Sequence, residues 1–193
     1  QTVLLEDYLE IRPDQTTRLK DLIQSGKILI GPWYTMPDLF LVSGEAVIRN
    51  LQAGKKWCQA FGNYMAVGYL PDPFGHFAQM PQILRGFEID SYIFMRGLDT
   101  ETKEKCGAIF NWKSPDGSTV LAIYEREGYF PVGSFGHPSV FGRFEGHREN
   151  VKLAKQQLEQ ALATMLPLQE EETVLLSNGF DHLPVQKNIP SLL

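Results

Sequence analysis

An aspartate between two prolines is the residue best placed for chemistry in this sequence. Asp72 lies between Pro71 and Pro73, directly after an apolar run, residues 65–70, that has the length of a buried strand. Pro73 disfavours the helical region for Asp72, so the backbone that carries this carboxylate is stiff. The pattern predicts a rigid acid at the carboxyl end of a strand, where α/β enzymes place their catalytic groups. The structural alternative is a cap for the following turn.

A second aspartate follows another apolar segment. Residues 173–176 have the composition of a strand, and Asp181 comes after the turn at residues 177–180. In a parallel sheet Asp72 and Asp181 would lie on one edge. Paired carboxylates suit glycoside hydrolysis, at about 5–5.5 Å for a retaining enzyme and farther apart for an inverting one. One acid must stay protonated while the other is ionised. His182 could tune Asp181; the alternative is an exposed loop histidine.

Length and composition limit the classes of protein. The 193 residues, 43% hydrophobic and 21% charged, are typical of one large or two small globular domains. A net charge of −5 argues against nucleic acid, and no apolar run reaches the roughly 20 residues of a membrane span. Cys58 and Cys106 lack the spacing of a zinc knuckle. A disulfide between them is one alternative, but two buried free thiols are favoured. We expect both ends of the chain, Gln1 and Leu193, to be interior points of a longer protein.

Helices and apolar strands alternate over the first half of the chain. The periodicity predicts helices at residues 14–25, 43–61 and 77–86, and strands at residues 27–34, 65–70 and 91–95. Ser43 is the expected cap of the longest helix. Its inner face should contain Val47, Leu51, Gly54, Cys58 and Phe61. This order predicts an α/β fold with a mainly parallel sheet and outer helices, too short for a complete eightfold barrel.

The pattern changes in the second half. Two apolar segments that meet at residues 114–118 predict a hairpin over 109–124. Residues 128–147 have no periodicity and contain the aromatic residues Tyr129, Phe130, Phe135, Phe141 and Phe144. We expect these side chains to pack against parts of the protein beyond this chain. A lid and a subunit contact are the alternatives. A helix should follow, with an inner face of Val151, Ala154, Leu158, Leu162 and Met165.

Four segments resemble motifs of glycoside hydrolase family 38, the α-mannosidases, and most of all its bacterial branch. Residues 68–76, Gly-Tyr-Leu-Pro-Asp-Pro-Phe-Gly-His, resemble the nucleophile motif of that family. Around it, residues 31–38, 94–99 and 178–182 fall in the order of the family and at suitable distances. The resemblance covers nearly the whole chain.

The resemblance implies a retaining exo-α-mannosidase whose catalytic domain is a seven-stranded β/α barrel. Residues 1–193 would be the central part of that domain, truncated at both ends. Asp72 matches the nucleophile of the family, which is also a zinc ligand, and Asp181 matches the general acid/base. The implied substrate is an α-mannoside and the implied location is the bacterial cytoplasm. Homo-oligomerisation of the full-length enzyme stays open.

Other polar and aromatic residues near the strand ends are candidates for binding the sugar. Trp33 and Asp38 could line the pocket, because aromatic faces and carboxylates suit a polyol, although Trp33 could equally be a core residue. Arg96 and Asp99 could orient Asp72, contact substrate or pair with each other. The predicted substrate-binding residues are therefore Trp33, Asp38, Arg96, Asp99 and His182.

Zinc in that family is expected to bind two adjacent sugar hydroxyls rather than to activate water. Zinc takes at least three protein ligands, and Asp72 is the one that this chain supplies. The others would come from a His/Asp motif before this chain and a histidine after it. His76 is interpreted as a helix-start residue, and His137 and His147 as solvated loop residues without a ligand spacing.

Two other functions stay open. A metal-dependent polysaccharide deacetylase on a related barrel would need a compact Asp/His/His site, whose second and third ligands are missing from the sequence around Asp72. A non-catalytic sugar-binding or interaction module is the second alternative, and we expect little or no activity from this chain alone.

Overall fold

The computed structural model of the chain describes residues 1–143, 145–168 and 173–193. It has a mixed α/β fold with a four-stranded sheet. Two compact units are present, one formed by residues 1–99 and 110–123, the other by residues 100–109 and 124–193. The elements of the first unit are α1 (Val3–Ile11), a 3-10 turn (Pro13–Gln15), α2 (Thr16–Gln24), α3 (Gly44–Phe61), β1 (Gly68–Tyr69), α4 (Met80–Gly86), β2 (Ser91–Phe94) and most of β3 (Ile109–Lys113) and β4 (Thr119–Tyr124).

The sheet aligns the segment after β1 with the segment after β2. Its strand order is β1-β2-β4-β3, and β1 runs parallel to β2, as predicted. Beyond this short ladder, the Leu70 amide donates to the Ile93 carbonyl at 2.9 Å, and the Met95 amide donates to the Pro71 carbonyl at 3.1 Å. The backbone next to Asp72 is therefore hydrogen-bonded to the chain that follows β2.

The predicted hairpin is confirmed. Strands β3 and β4 are neighbours in the sheet, and the Ser114 amide donates to the Ser118 carbonyl at 2.8 Å across the turn. The Asp116 carboxylate accepts from the Ser118 amide at 3.0 Å. The turn sequence thus satisfies its own polar groups, which is why the local signal was sufficient.

Helix α3 has the predicted cap and the predicted inner face. The Ser43 hydroxyl accepts a hydrogen bond from the Ala46 amide at 3.2 Å. The buried residues are Val47, Leu51, Gly54 and Cys58, with Phe61 partly buried beside them. Gly54 lets the helix approach the backbone of residues 32–34, and the Asn50 side chain accepts from the Tyr34 amide at 2.9 Å.

The predicted strand at residues 27–34 is wrong. Both the Lys27 and the Ile28 amide donate to the Leu22 carbonyl, at 2.9 and 3.2 Å, which closes the end of α2 instead of a ladder. Ile30 contributes one hydrogen bond, from the Met65 amide to its carbonyl at 2.8 Å. Leu29 is 70% exposed and Ile30 is 5% exposed, so only part of the apolar run is buried.

The second unit contains α5 (Thr100–Cys106), a 3-10 turn (Val140–Arg143), α6 (Val151–Met165), a 3-10 turn (Leu166–Leu168) and α7 (Ile189–Leu192). Its core is formed by Val132, Phe135 and Ala154, against which Leu158, Ala161, Leu176 and Leu192 pack. The aromatic segment therefore packs partly within this chain, which corrects the expectation for Phe135. Phe144 lies outside the described residues.

Three further expectations for this unit are wrong. His137, interpreted as a solvated loop residue, is buried, with 3% of its surface exposed. Val151 is 62% exposed, because it is the first residue after the cap Asn150 and precedes the packed turn of α6. Residues 173–176 form no strand; Leu176 contributes its side chain to the core of the second unit instead of pairing in a sheet.

Both cysteines are free, as favoured, although Cys106 is only partly buried. Among the described residues, no helix has the length and apolar character that crossing a membrane requires.

We predict that Gly54→Ala destabilises the protein by about 2–3 kcal/mol, because the added methyl group overpacks a rigid contact. An added Cβ would lie 2.6 Å from Tyr34 N and 2.7 Å from Trp33 C, and closer still to Pro32 O, all of them backbone atoms. Gly44→Ala is the matched control on the same helix, since a Cβ there meets nothing within 4 Å. Chemical denaturation measures both; equal effects of the two substitutions would contradict the close helix–loop contact.

Candidate active site

Asp72 lies on the turn that follows β1, beside a small cavity. The cavity has a volume of about 220 Å³, and its lining includes Asp72, Leu70, Phe74, Met36 and Asp38. Both flanking prolines are buried, whereas about a third of the Asp72 side chain is exposed. The turn thus presents a carboxylate to solvent on a backbone that prolines and packing hold in place.

Asp38 supports the same turn. Its Oδ1 atom accepts a hydrogen bond from the Phe74 amide at 3.1 Å, 36 residues away in sequence. The structure therefore brings Asp38 and Asp72 to one cavity. A direct contact between Asp38 and a sugar stays a prediction.

Arg96 forms an ion pair with Asp72. Its Nε donates to Asp72 Oδ1, and its guanidinium lies 4.7 Å from the centre of the Phe74 ring. This ion pair fits the alternative in which Arg96 orients Asp72, and that role stays a prediction. Both side chains are partly exposed, so the pair contributes about 1 kcal/mol or less to stability, and its importance is in geometry. The role of Asp99, an exposed residue of the same unit, stays a prediction.

Trp33 is a core residue, which corrects its assignment to the sugar pocket. Its side chain is completely buried in the first unit, so no ligand can reach the indole in this structure. The indole Nε1 has no hydrogen-bond partner within the described part of the chain.

His76 is a residue of this site that the sequence interpretation missed. Its Nε2 lies 2.8 Å from the Arg96 carbonyl oxygen, and its Nδ1 lies 3.1 Å from the Tyr92 hydroxyl. The ring also makes edge contacts with Tyr92, Phe94 and Trp112. A usable signal was present: Tyr92 and Phe94 alternate along β2, so both face one side of the sheet, where a neighbouring polar ring would be enclosed.

Asp181 is held by an aromatic side chain of the second unit. The Tyr129 hydroxyl donates to Asp181 Oδ1 at 2.9 Å, a contact that sequence reasoning also missed. The preceding residue, Phe180, makes edge contacts with Phe130 at 5.1 Å and with Phe141 at 6.3 Å. His182 is exposed, which agrees with the loop alternative; its influence on Asp181 stays a prediction.

The segment before Asp181 is anchored by polar contacts. The Asn178 side chain donates to the Val132 carbonyl at 2.8 Å, and the Ser177 hydroxyl donates to Glu125 Oε1 at 2.8 Å. Glu125 is 5% exposed, and its Oε2 has no partner among the described residues. Burial raises the pKa of Glu125, and the Ser177 hydrogen bond partly opposes that shift.

Asp72 belongs to the first unit and Asp181 to the second, so the prediction that both lie on one edge of the sheet stays a prediction.

The described residues do not form a metal centre by themselves. No group of three or more His, Cys, Asp or Glu side chains within residues 1–143, 145–168 and 173–193 could hold an ion. A zinc site takes three or four protein ligands. Asp72, the predicted ligand, is paired with Arg96.

Comparison with known proteins agrees with the motifs. The model for the glycosyl hydrolases family 38 N-terminal domain matches residues 1–191. A putative mannosylglycerate hydrolase from Halalkalibacterium halodurans is 35% identical over 199 residues, which cover 98% of this chain and 21% of that protein. Alpha-mannosidase G from Dictyostelium discoideum is 32% identical over 115 residues, 58% of this chain and 10% of that protein.

A solved structure has the same fold. The crystal structure of an alpha-mannosidase from Enterococcus faecalis V583 superposes with a TM-score of 0.87 at 28% identity, over 100% of this chain and 20% of that one. The chain therefore spans about one fifth of the length of these bacterial relatives. The match of 191 residues to one family model, together with this likeness, identifies the chain as a member of glycosyl hydrolase family 38.

Proposed function

We propose that this chain is part of a retaining exo-α-mannosidase, in which Asp72 is the nucleophile. The observation that carries the proposal is the Asp72 turn: a partly exposed carboxylate after a parallel strand, fixed by prolines and paired with Arg96. The motif around Asp72 falls within the family match, and the matched relatives are named as a mannosylglycerate hydrolase and alpha-mannosidases. The seven-stranded barrel and a cytoplasmic location belong to the same proposal.

The proposed reaction is a double displacement. An Asp72 oxygen attacks the anomeric carbon and forms a glycosyl ester, while the bond from that carbon to the leaving oxygen breaks and Asp181 donates its proton to that oxygen. Asp181 then removes a proton from water, whose oxygen attacks the same carbon and releases Asp72. Arg96 keeps the attacking carboxylate in one orientation, and Tyr129 orients the carboxyl group of Asp181.

Zinc is a separate part of the proposal. Asp72 would be one ligand, and the remaining ligands would come from residues other than those described in this chain. When bound, zinc would hold adjacent sugar hydroxyls; none of the steps above requires it as a reactant.

We predict that Asp72→Ala in the full-length protein lowers kcat for an aryl α-mannoside by about a thousandfold or more, because no covalent intermediate can form. Asp21→Asn, at an exposed position of α2, is the matched control and should retain full activity. Incubation of the native protein with a 2-fluoro-mannosyl fluoride, followed by peptide mass spectrometry, should locate the sugar on Asp72. Substantial turnover by Asp72→Ala would rule out this nucleophile, and a deacetylase would form no such adduct.

We predict that Asp181→Ala affects substrates according to their leaving groups. A phenyl mannoside needs a proton on the departing oxygen, so kcat/KM should fall by about 10²–10⁴-fold. A dinitrophenolate leaves without a proton. The kcat/KM for a dinitrophenyl mannoside, which reports formation of the glycosyl intermediate, should therefore be nearly unchanged. Steady-state kinetics with both substrates measures the difference; equal losses would contradict the acid/base role of Asp181.

A further inference from the structure

We propose that His76 is a positioning residue that holds the backbone of Arg96 and thereby the orientation of Asp72. The inference deepens the proposed function, on which its kinetic test rests. His76 is part of the same turn as Asp72, four residues later, and reaches across to the segment after β2. Arg96 thus contacts the Asp72 turn twice: its side chain pairs with Asp72, and its backbone carbonyl forms a hydrogen bond with His76.

The hydrogen bonds determine the tautomer of the imidazole. The Arg96 carbonyl oxygen can only accept, so Nε2 of His76 must carry the hydrogen that it donates. Nδ1 is then an acceptor, and the Tyr92 hydroxyl donates to it. Burial keeps Tyr92 a neutral phenol by raising its pKa well above the ordinary value. Burial also lowers the pKa of His76, and this favours the neutral ring. The hydrogen bond to Arg96 opposes the shift but is the smaller effect.

Packing holds the ring against the peptide that it hydrogen-bonds. The centroids of Phe94 and Trp112 lie 4.7 and 5.9 Å from that of His76. Gly97, the residue after Arg96, has a φ of +94°, and a Cβ there would lie 2.6 Å from Cδ2 of His76. The imidazole thus forms a hydrogen bond with the Arg96 carbonyl oxygen. It also packs so closely against the Cα of Gly97 that no side chain would fit there.

The remaining contacts make Arg96 the point where this support acts. The Met95 amide is bonded to the Pro71 carbonyl, so the backbone just before Arg96 is already tied to the Asp72 turn. The Arg96 side chain extends over Phe74 to Asp72. With Met95 held by the sheet and the Arg96 carbonyl held by His76, the peptide that directs the guanidinium cannot rotate without losing one of these bonds.

A histidine that only fills space would behave differently. Its replacement would reduce stability whichever nitrogen the new side chain imitates. The positioning role instead depends on Nε2, because that atom alone donates to Arg96. Glutamine can place an amide nitrogen near the position of Nε2 and so can still donate to the Arg96 carbonyl. Asparagine is shorter and can place its amide only near the position of Nδ1. It therefore keeps the hydrogen bond with Tyr92 and loses the one with Arg96.

The experiment compares His76→Gln with His76→Asn in the full-length protein, using kcat, KM and thermal unfolding with an aryl α-mannoside. We expect His76→Asn to lower kcat by about 10–100-fold with a KM within about threefold, since a support that orients a reacting group acts on that scale. His76→Gln should stay within about fivefold of the native kcat. Leu19→Ala, in a separate hydrophobic cluster of the first unit, is the control for lost stability and should leave kcat unchanged.

Equal losses of kcat in the two His76 variants, or losses that follow the unfolding temperature as in Leu19→Ala, would overturn the proposal. Crystal structures of both variants give a readout that does not need turnover. The Arg96–Asp72 contact should persist in His76→Gln and be lost in His76→Asn; a contact retained in both would also overturn it. If the contact behaves as expected but the native protein does not cleave α-mannosides, the proposed function fails and the positioning role stands.

Discussion

The contact between Asp72 and Arg96 depends on the register of two parallel strands. β1 and β2 pair over only a few residues, yet the hydrogen bonds of Leu70 and Met95 extend that pairing to the turn itself. A shift of one residue would turn every side chain of the segment to the opposite face. The ion pair, the Phe74 stacking and the His76 hydrogen bond would then be lost together. The geometry around Asp72 is therefore a consequence of sheet register.

The Asp72 turn is stiffened from several independent directions. Pro71 and Pro73 restrict its backbone, and the Asp38 carboxylate satisfies the amide of Phe74. Asp38 is a short side chain bonded to a backbone amide, so ordering it costs little side-chain entropy. Such rigidity suits a nucleophile, because a displacement of about 1 Å can cost about a hundredfold in rate.

The second unit positions Asp181 by another route. Asp181 lies on an irregular segment, and its support comes from the Tyr129 hydroxyl and from the edge contacts of Phe180. Asn178 satisfies a backbone carbonyl of the aromatic segment, so two irregular segments are joined by hydrogen bonds rather than by a ladder. Within the described part of the aperiodic sequence between β4 and α6, Tyr129, Phe130 and Val132 thus contact the segment that carries Asp181.

Local features of this protein were determined by the sequence itself. The Ser43 cap and the turn at residues 114–118 rest on contacts within a few residues. The inner face of α3 follows from the spacing of its apolar residues, and Pro71 and Pro73 restrict the backbone of Asp72. The motifs sufficed to indicate the family. Tertiary structure decided the partners: Arg96 for Asp72, Tyr129 for Asp181, and burial for Trp33. It also decided against strands at residues 27–34 and 173–176, whose apolar composition fits a strand and a packed loop equally well. The physical reason is separation along the chain: Arg96 is 24 residues from Asp72 and Tyr129 is 52 from Asp181, and contacts at that range depend on how whole elements pack.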